Sequence, residues 1–237
     1  MKTLSNKTIF ITGATSGIGR ALAIRLAQAG ANLAVCGRSK DKMISLLSEL
    51  KSSAAGKVFG QAFDSTDTPA VRRFVTEASE VIDTPSVLIN NAGANLGKAT
   101  VEKLNVDDFD AMFALNCRSQ LVFTQATHPL MVAAGEGHVI NVVSTVALFA
   151  GEALAGYTAS KAAFDAWTKI YRKEARLQNI RVTAVYPGGT DTPFRTNTRP
   201  DYMRPETVAE AIYQIIIMPS DATVHELVMR PQVETNF

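Results

Sequence analysis

The sequence is poor in the residues that hold metals or form disulfides. It has only two cysteines, Cys36 and Cys117, and three histidines, and together they form no CxxC motif and no metal-ligand spacing. The histidines are His128, His138 and His225. We therefore expect no metal site, and we expect both cysteines to be reduced structural thiols, as is usual in a cytosolic protein.

A long apolar run is also missing. The apolar stretch before Gly13 is too short for the core of a signal peptide. No stretch approaches the roughly 20 apolar residues that a membrane-spanning helix needs. The sequence therefore predicts a soluble cytoplasmic protein without a membrane partner.

Charge of one sign is not in excess, because the formal net charge is only +2. The densest basic stretch contains Lys169, Arg172, Lys173 and Arg176, and its spacing predicts one exposed face near the end of a helix. Cations there would favour the negative end of the helix dipole. A solvated face is favoured over nucleic-acid binding, because no aromatic residues interleave with these cations for base stacking.

Short β-branched runs alternate with helical patterns along most of the chain. Several of the runs are apolar on both faces, as buried parallel strands are. This alternation predicts an α/β fold with a doubly wound, Rossmann-like parallel sheet of about seven strands and helices on both faces, in one domain over residues 1–237. The predicted strands are 8–12, 32–36, 57–63, 86–90, 138–144, 180–186 and 224–229.

A glycine-rich turn, TGATSGIGR at 12–20, joins the first predicted strand to a helix. Free backbone N–H groups and the positive end of the helix would meet there, which suits a pyrophosphate. Gly13 allows a tight turn, Gly17 lets phosphates approach the backbone, and Gly19 permits close packing of helix on strand. We expect a dinucleotide cofactor rather than an ordinary turn. A P-loop is excluded because no G-K-[ST] follows.

The end of the second predicted strand indicates which dinucleotide is bound. An NAD site usually has an acidic residue there for the ribose hydroxyls, whereas an arginine can hold the 2′-phosphate of NADP. This chain has Gly37 and Arg38 at that corner. The sequence favours NADP(H), and the alternative is that Arg38 only caps a surface loop.

Six motifs follow one another along the chain. They are TGATSGIG at 12–19, NNAG at 90–93, Asn116 in FALNCRS, Ser144 in INVVSTVA, YTASK at 157–161 and YPGGTDT at 186–192. In this order and spacing the sequence resembles the short-chain dehydrogenase/reductase family in its single-domain form, over nearly the whole chain. The resemblance implies an NADP(H)-dependent oxidoreductase that interconverts a carbonyl and an alcohol, assembled as a homodimer or homotetramer.

The resemblance also implies four catalytic residues. Tyr157 would be the general acid or base and would also contact the cofactor. Lys161, one helical turn later, would hold the nicotinamide ribose and, together with the charge of the oxidised nicotinamide, would lower the pKa of Tyr157. Ser144 would bond the substrate oxygen, and Asn116 would hold a water for proton resupply. Thr158, Ala159 and Ser160 would mainly hold the helical spacing. Taken alone, Ser144 could instead bond its own backbone, and Asn116 could be a satisfied helix residue.

The remaining cofactor residues are implied in the same way. Asn91, Ala92 and Gly93 would line the adenosine and ribose side, although a strand ending in a turn would also explain them. Asp64 would meet the adenine. The other implied contacts are Ser16 and Ile18 in the glycine turn, and Pro187, Gly188, Thr190 and Thr192 around the nicotinamide amide.

The substrate is the least determined part of the prediction. Arg195, Arg199 and Arg204 could attract an anionic substrate, but plain surface charges are favoured. The ending VHELVMRPQVETNF looks like the branch that reduces 3-oxo acids, or that oxidises 3-hydroxy acids and serine-like compounds. Two other function classes stay open: a catalytically silent NADP-binding protein, and a sugar-nucleotide epimerase or dehydratase. The roughly 50 residues after Gly188 argue against the latter, since they leave no room for an added substrate domain.

Overall fold

Seven strands form one parallel sheet through the protein. The structure is a computed structural model that describes residues 4–5, 7–53, 56–195 and 197–235. The strands are β1 (Thr8–Ile11), β2 (Asn32–Gly37), β3 (Val58–Ala62), β4 (Val87–Asn90), β5 (Gly137–Val142), β6 (Ile180–Pro187) and β7 (Glu226–Met229). The helices are α1 (Gly17–Gln28), α2 (Lys40–Ser53), α3 (Thr68–Ile82), α4 (Val106–Phe113), α5 (Ser119–Ala134), α6 (Ala155–Ala175) and α7 (Pro205–Ile216).

The strand order is β3-β2-β1-β4-β5-β6-β7, and every neighbouring pair is parallel. The predicted doubly wound, Rossmann-like sheet is therefore confirmed. The chain leaves β3 at one edge and returns on the far side of β1, so the winding reverses between β1 and β4. In such folds the crevice at the carboxyl ends of these two strands is the usual ligand site. The glycine turn after β1 and the NNAG motif at the end of β4 both lie there.

Helices cover both faces of the sheet because successive strand residues point to opposite sides. In β1, Ile9 and Ile11 face a core shared with α1, α2 and α7, whereas Phe10 faces a core shared with α3 and α5. A smaller cluster packs α6 on β6 through Phe164 and Tyr186. Because both faces are covered, the central strands carry apolar residues on both faces, which is the signal that the sequence carries.

Most predicted element boundaries lie within two residues of those observed. Asp67 caps α3 by accepting a hydrogen bond from the Ala70 N–H at 3.1 Å, and Pro205 begins α7. The largest differences at a strand end are two residues: β5 ends at Val142 instead of 144, and β7 begins at Glu226 instead of 224. Thr196, Asn236 and Phe237, which fall in the predicted substrate segment and in the chain's ending, lie outside the described residues.

The predicted basic face of α6 is wrong for one of its four members. Arg172 is mostly covered, with 15% of its side chain exposed. Its guanidinium donates to the carbonyl oxygens of His225 at 2.7 Å and Val182 at 3.2 Å. Arg172 therefore ties α6 to β6 and to the residue before β7, whereas Lys173 and Arg176 are exposed as predicted.

No helix in the described ranges is both long and apolar enough to cross a bilayer.

Candidate active site

The glycine turn has the backbone shape that the sequence predicts. Gly13 and Gly17 adopt φ values of +65° and +52°, in the left-handed region that favours glycine. A Cβ on Gly19 would lie 2.3 Å from the Gly13 carbonyl oxygen. Gly19 is therefore required by a close approach to the turn itself, rather than to a strand as predicted.

The first turn of α1 opens from this loop with its N–H groups unpaired within the helix, as at every helix start. Ser16 stands at the N-cap position, and its side chain makes no capping hydrogen bond to the described helix. Ile18, the next residue but one, is partly buried and packs on the core. The turn thus combines a glycine cradle, free N–H groups and the positive end of a helix, which fits a pyrophosphate.

The end of β4 is tied to the glycine turn by Thr12, which the sequence reasoning did not single out. The Thr12 hydroxyl oxygen accepts from the N–H groups of Asn91 and Ala92, both at 2.9 Å. The Asn91 side-chain amide donates to the carbonyl oxygens of Thr12 at 2.9 Å and Gly13 at 3.2 Å. Asn91 therefore braces the turn, and Gly93 is the member of NNAG that reaches the Tyr–Lys region.

The end of β2 lies beside the same turn. The Ala14 N–H donates to the Cys36 carbonyl oxygen at 3.0 Å, and a Cβ on Gly37 would lie 2.7 Å from the Thr15 side chain. Arg38 follows directly and is exposed at this corner. Asp64, after β3, accepts from the Thr66 N–H and hydroxyl through one carboxylate oxygen, both at 2.9 Å.

The Tyr157 hydroxyl lies next to Ser144, which follows the end of β5. The Ser144 oxygen accepts from the Val146 N–H at 3.3 Å, as in the backbone alternative. Ser144 also lies close enough to the Tyr157 hydroxyl to lower its pKa, so the backbone bond is only part of its surroundings. Burial raises the pKa of Tyr157, and the Ser144 hydrogen bond and the charge of Arg195 oppose that rise. Lys161 is not among the groups that lower the pKa of Tyr157 here, and burial dominates. The joint effect expected from Lys161 and the oxidised nicotinamide stays a prediction.

Lys161 is buried, with 4% of the residue exposed. Its ammonium donates to the Val142 carbonyl oxygen at 2.9 Å and lies 5.3 Å from the Phe164 ring centroid. Burial lowers the pKa of Lys161 to about 7. A Cβ on Gly93 would lie 3.4 Å from the Lys161 nitrogen, so the NNAG loop and the YTASK helix are in contact.

Asn116 lies in a π-helical turn, Ala114–Arg118, between α4 and α5. Its side-chain amide oxygen accepts from the Ala94 N–H at 2.8 Å, and its nitrogen donates to the Ala94 carbonyl oxygen at 2.8 Å and to the Ser160 hydroxyl at 3.0 Å. Ser160 is fully buried and donates to the Tyr157 carbonyl oxygen at 2.8 Å. The prediction that Ser160 mainly holds the helical spacing is therefore wrong: it links Asn116 to the YTASK helix.

The segment after β6 lies against the glycine turn. It starts at Pro187, the last residue of β6, and the Thr192 side chain lies 3.2 Å from where a Cβ of Gly17 would be. The Thr190 hydroxyl donates to the Gly188 carbonyl oxygen at 3.1 Å. The cofactor-binding residues predicted from the two ends of the chain are thus brought together.

Residues near the C-terminal end of the chain accept hydrogen bonds from the segment that follows β6. The Gly188 N–H donates to the Met229 carbonyl oxygen at 2.7 Å, and the Gly189 N–H donates to the Glu234 carboxylate at 2.8 Å. Glu234 also pairs with Arg230 at 3.4 Å, and both side chains are less than a fifth exposed. The sequence reasoning missed Glu234.

Comparison with known proteins agrees with this arrangement. The family model for "short chain dehydrogenase" matches residues 7–203. The chain belongs to the short chain dehydrogenase family. An uncharacterized oxidoreductase of Staphylococcus aureus strain MW2 is 30% identical over 234 residues, which cover 98% of this chain and 100% of the relative.

Solved short chain dehydrogenases share the whole fold. An alcohol dehydrogenase from the archaeon Thermococcus sibiricus, complexed with 5-hydroxy-NADP, superposes with a TM-score of 0.90 at 26% identity, covering 97% of this chain and 98% of that one. The closed form of a serine dehydrogenase complexed with NADP⁺ gives a TM-score of 0.88 at 25% identity, with 96% of each chain covered. The chain therefore belongs to a family of oxidoreductases.

The three arginines of the predicted substrate segment differ in their exposure to solvent and in their contacts. Arg199 is exposed and forms two hydrogen bonds with Asp201, at 3.1 and 2.9 Å. Arg204 is exposed before α7. Arg195 is half-buried beside Tyr157, and the ring of its neighbour Phe194 lies 5.6 Å from the Tyr157 ring, centroid to centroid. The surface-charge interpretation fits Arg199 and Arg204 and fails for Arg195.

Proposed function

We propose that the protein is an NADP(H)-dependent oxidoreductase that interconverts a carbonyl and an alcohol by hydride transfer. The observation that carries this proposal is the meeting of a half-buried Tyr157 with the buried residues Ser144 and Lys161. Lys161 also lies against Gly93, in the loop that continues the dinucleotide crevice. A merely structural tyrosine and lysine would not need to lie together at the carboxyl ends of the strands, where ligands bind in such folds.

The residues of the crevice fit a dinucleotide. The turn from Gly13 to Gly19, with the uncapped start of α1, would hold the pyrophosphate. Arg38 would pair with the 2′-phosphate and Asp64 would meet the adenine, while Gly93 and Lys161 would face the nicotinamide ribose. Pro187, Gly188, Thr190 and Thr192 would hold the carboxamide. NADP in two similar short chain dehydrogenases supports the choice of cofactor. The bound cofactor supplies the hydride.

Tyr157 would transfer the proton. Because burial raises its pKa, its hydroxyl keeps its proton near pH 7 and is ready to donate it to a carbonyl oxygen. The phenolate that remains would be stabilised by the Ser144 hydroxyl and by the charge of Arg195, the two influences that already lower its pKa. Ser144 would also bond the substrate oxygen as charge develops there.

Lys161 would maintain the proton supply, and Asn116 would hold the surrounding elements in position. Lys161, with a pKa near 7, can exchange a proton at neutral pH while Val142 holds its nitrogen in place. Both N–H groups of the Asn116 side chain are used by Ala94 and Ser160. A water could therefore reach the Asn116 side chain only by donating to its oxygen, and Asn116 acts mainly as a positioning residue.

The direct test is a screen of NADPH oxidation with aldehydes, ketones, oxo acids and sugars, repeated with NADH. The proposal predicts turnover in at least one carbonyl class, faster with NADPH than with NADH. Tight NADPH binding with no oxidation in any class would favour a silent binding protein instead. Equal or better turnover with NADH would refute the cofactor assignment.

A further inference from the structure

Arg195, at the mouth of the candidate active site, carries a positive charge that pairs with no carboxylate of the described residues. The Arg195 Nε donates to the Thr190 carbonyl oxygen at 3.4 Å, and its guanidinium carbon lies 4.7 Å from the centroid of the Tyr202 ring. Its charge reaches the Tyr157 hydroxyl, whose pKa it lowers. The side chain is therefore held by a carbonyl and by an aromatic face, beside the proposed acid.

The carboxylates of this region are bound elsewhere. Asp201 is held by the Arg199 side chain, and Asp191 accepts from the Arg199 N–H at 2.9 Å. Glu234 accepts from Gly189 and pairs with Arg230. Within the described ranges no carboxylate forms an ion pair with Arg195. An uncompensated, half-buried guanidinium costs solvation free energy, and an anionic ligand would offset that cost.

We infer that Arg195 binds a carboxylate of the substrate, so that the substrate is a small oxo acid, or a hydroxy acid in the reverse direction. This inference rests on the proposed function. The planar guanidinium presents paired donors that match a carboxylate, and a single such group suits one carboxylate better than a phosphate, which usually gathers several cations. Phe194 and Tyr202 would flank the carbon chain between the two polar ends.

The substrate carboxylate serves only for binding to Arg195 and is not changed in the reaction. In the reductive direction the carbonyl carbon gains a hydride from NADPH, the carbonyl oxygen gains the Tyr157 proton, and NADP⁺ is released with the hydroxy acid. The carboxylate stays ionised and bound to Arg195. Arg195 thus sets which carbonyl compounds are oriented for the transfer.

The test compares each of several oxo acids with its own methyl ester, which has the same carbonyl without the charge. Pairs with the carbonyl at position 2, 3 or 4 cover the possible separations. For the preferred pair, Arg195→Gln is expected to lower kcat/KM for the acid about 10- to 100-fold, the range of a charge-assisted hydrogen bond. The kcat/KM for the ester should fall much less. Arg195→Lys should recover part of the kcat/KM that Arg195→Gln loses for the acid.

The acid-to-ester ratio separates this role from an effect on Tyr157, because a shifted Tyr157 pKa would slow both substrates alike. Arg199→Gln is the matched control, since that arginine is exposed and already paired, and its ratio should equal that of the parent. An equal loss for acid and ester in Arg195→Gln would overturn the inference and leave the proposed function standing.

A binding measurement keeps the inference testable without turnover. In the presence of NADPH, with which it cannot react, the hydroxy acid of the preferred pair should raise the unfolding midpoint of the parent and of Arg199→Gln, but not that of Arg195→Gln. An equal rise in all three proteins would overturn the inference. Failure of the proposed function would show differently, as the absence of NADPH oxidation with acids and esters alike.

Discussion

The Asn116 side-chain nitrogen donates to the Ser160 hydroxyl oxygen at 3.0 Å, across 44 residues of sequence. The Ser160 hydroxyl in turn donates a hydrogen bond to the Tyr157 carbonyl oxygen at 2.8 Å. The π-helical turn that carries Asn116 is thereby joined to the first turns of the helix that carries Tyr157 and Lys161. This link makes Ser160 part of the scaffold that sets the position of the proposed acid.

Ser160→Ala should therefore lower both stability and activity. The substitution leaves a buried Asn116 N–H without its acceptor, which costs about 1–3 kcal/mol in the free energy of unfolding. We expect kcat to fall about tenfold as Asn116 shifts, with the Kd for NADPH little changed. Urea unfolding and steady-state kinetics measure the two effects.

Thr158→Ala is the matched control, because it removes a hydroxyl group from the same helix. The Thr158 hydroxyl has no hydrogen-bond partner among the described residues. Equal losses in the two variants would show that the Asn116–Ser160 bond has no special role.

Lys161→Met should abolish turnover and stabilise the fold at low pH. Burial lowers the pKa of Lys161 from 10.5 to about 7, so between these values the unfolded chain binds more protons than the folded one. The parent therefore bears the cost of a buried ammonium below about pH 7 and loses that cost as the pH rises toward 10.5.

The free energies of unfolding of the parent and of Lys161→Met, measured from about pH 7 to 10.5, test the direction of this pH dependence. The variant's advantage should be largest at the acid end and should shrink as the pH rises. A deficit of constant size at every pH would contradict the account, because only the Val142 hydrogen bond would then have been lost.

Arg38→Ala should weaken NADPH and spare NADH. Loss of one charge-assisted contact to the 2′-phosphate should raise the Kd for NADPH about tenfold or more. Fluorescence titration with each cofactor measures both constants. Lys40→Ala, an exposed cation two residues later, is the control. A parallel change for both cofactors would mean that Arg38 only shapes the surface loop.

Glu234→Ala should loosen the segment after β6. The Gly189 N–H would lose its acceptor, so we expect faster amide hydrogen exchange over 187–192 and a several-fold higher Kd for NADPH. Glu234→Gln keeps an acceptor oxygen and should recover much of the affinity. Gln232→Ala, an exposed change in the same tail, should do neither. If amide hydrogen exchange over 187–192 is unchanged in Glu234→Ala, Glu234 does not support the cofactor-binding segment.

The sequence predicted those parts of the protein that depend on local pattern. Buried parallel strands are apolar on both faces, so their runs stand out, and the glycine turn after β1 can be recognised because Gly13 and Gly17 need left-handed backbone. Contacts between distant segments leave no such pattern. Glu234 reaches Gly189 across 45 residues, and Thr12 looked like the last residue of a strand.

Burial was the other quantity that spacing could not supply. The i+4 spacing of Tyr157 and Lys161 suggested that one charge would lower the pKa of the other group. In the folded protein, desolvation dominates both groups and raises the pKa of Tyr157. The three arginines after β6 were likewise indistinguishable until the fold enclosed Arg195 and left Arg199 in solvent.

The central claim is that the Tyr157 hydroxyl gives the proton, and Tyr157→Phe tests it most directly. The ring and its contact with Phe194 would remain, so NADPH should bind with an unchanged Kd. With the best substrate of the screen, kcat should fall about 10²- to 10⁴-fold, the contribution of a positioned general acid. Turnover equal to that of the parent, with the same NADPH affinity, would contradict the account and assign the proton to another group.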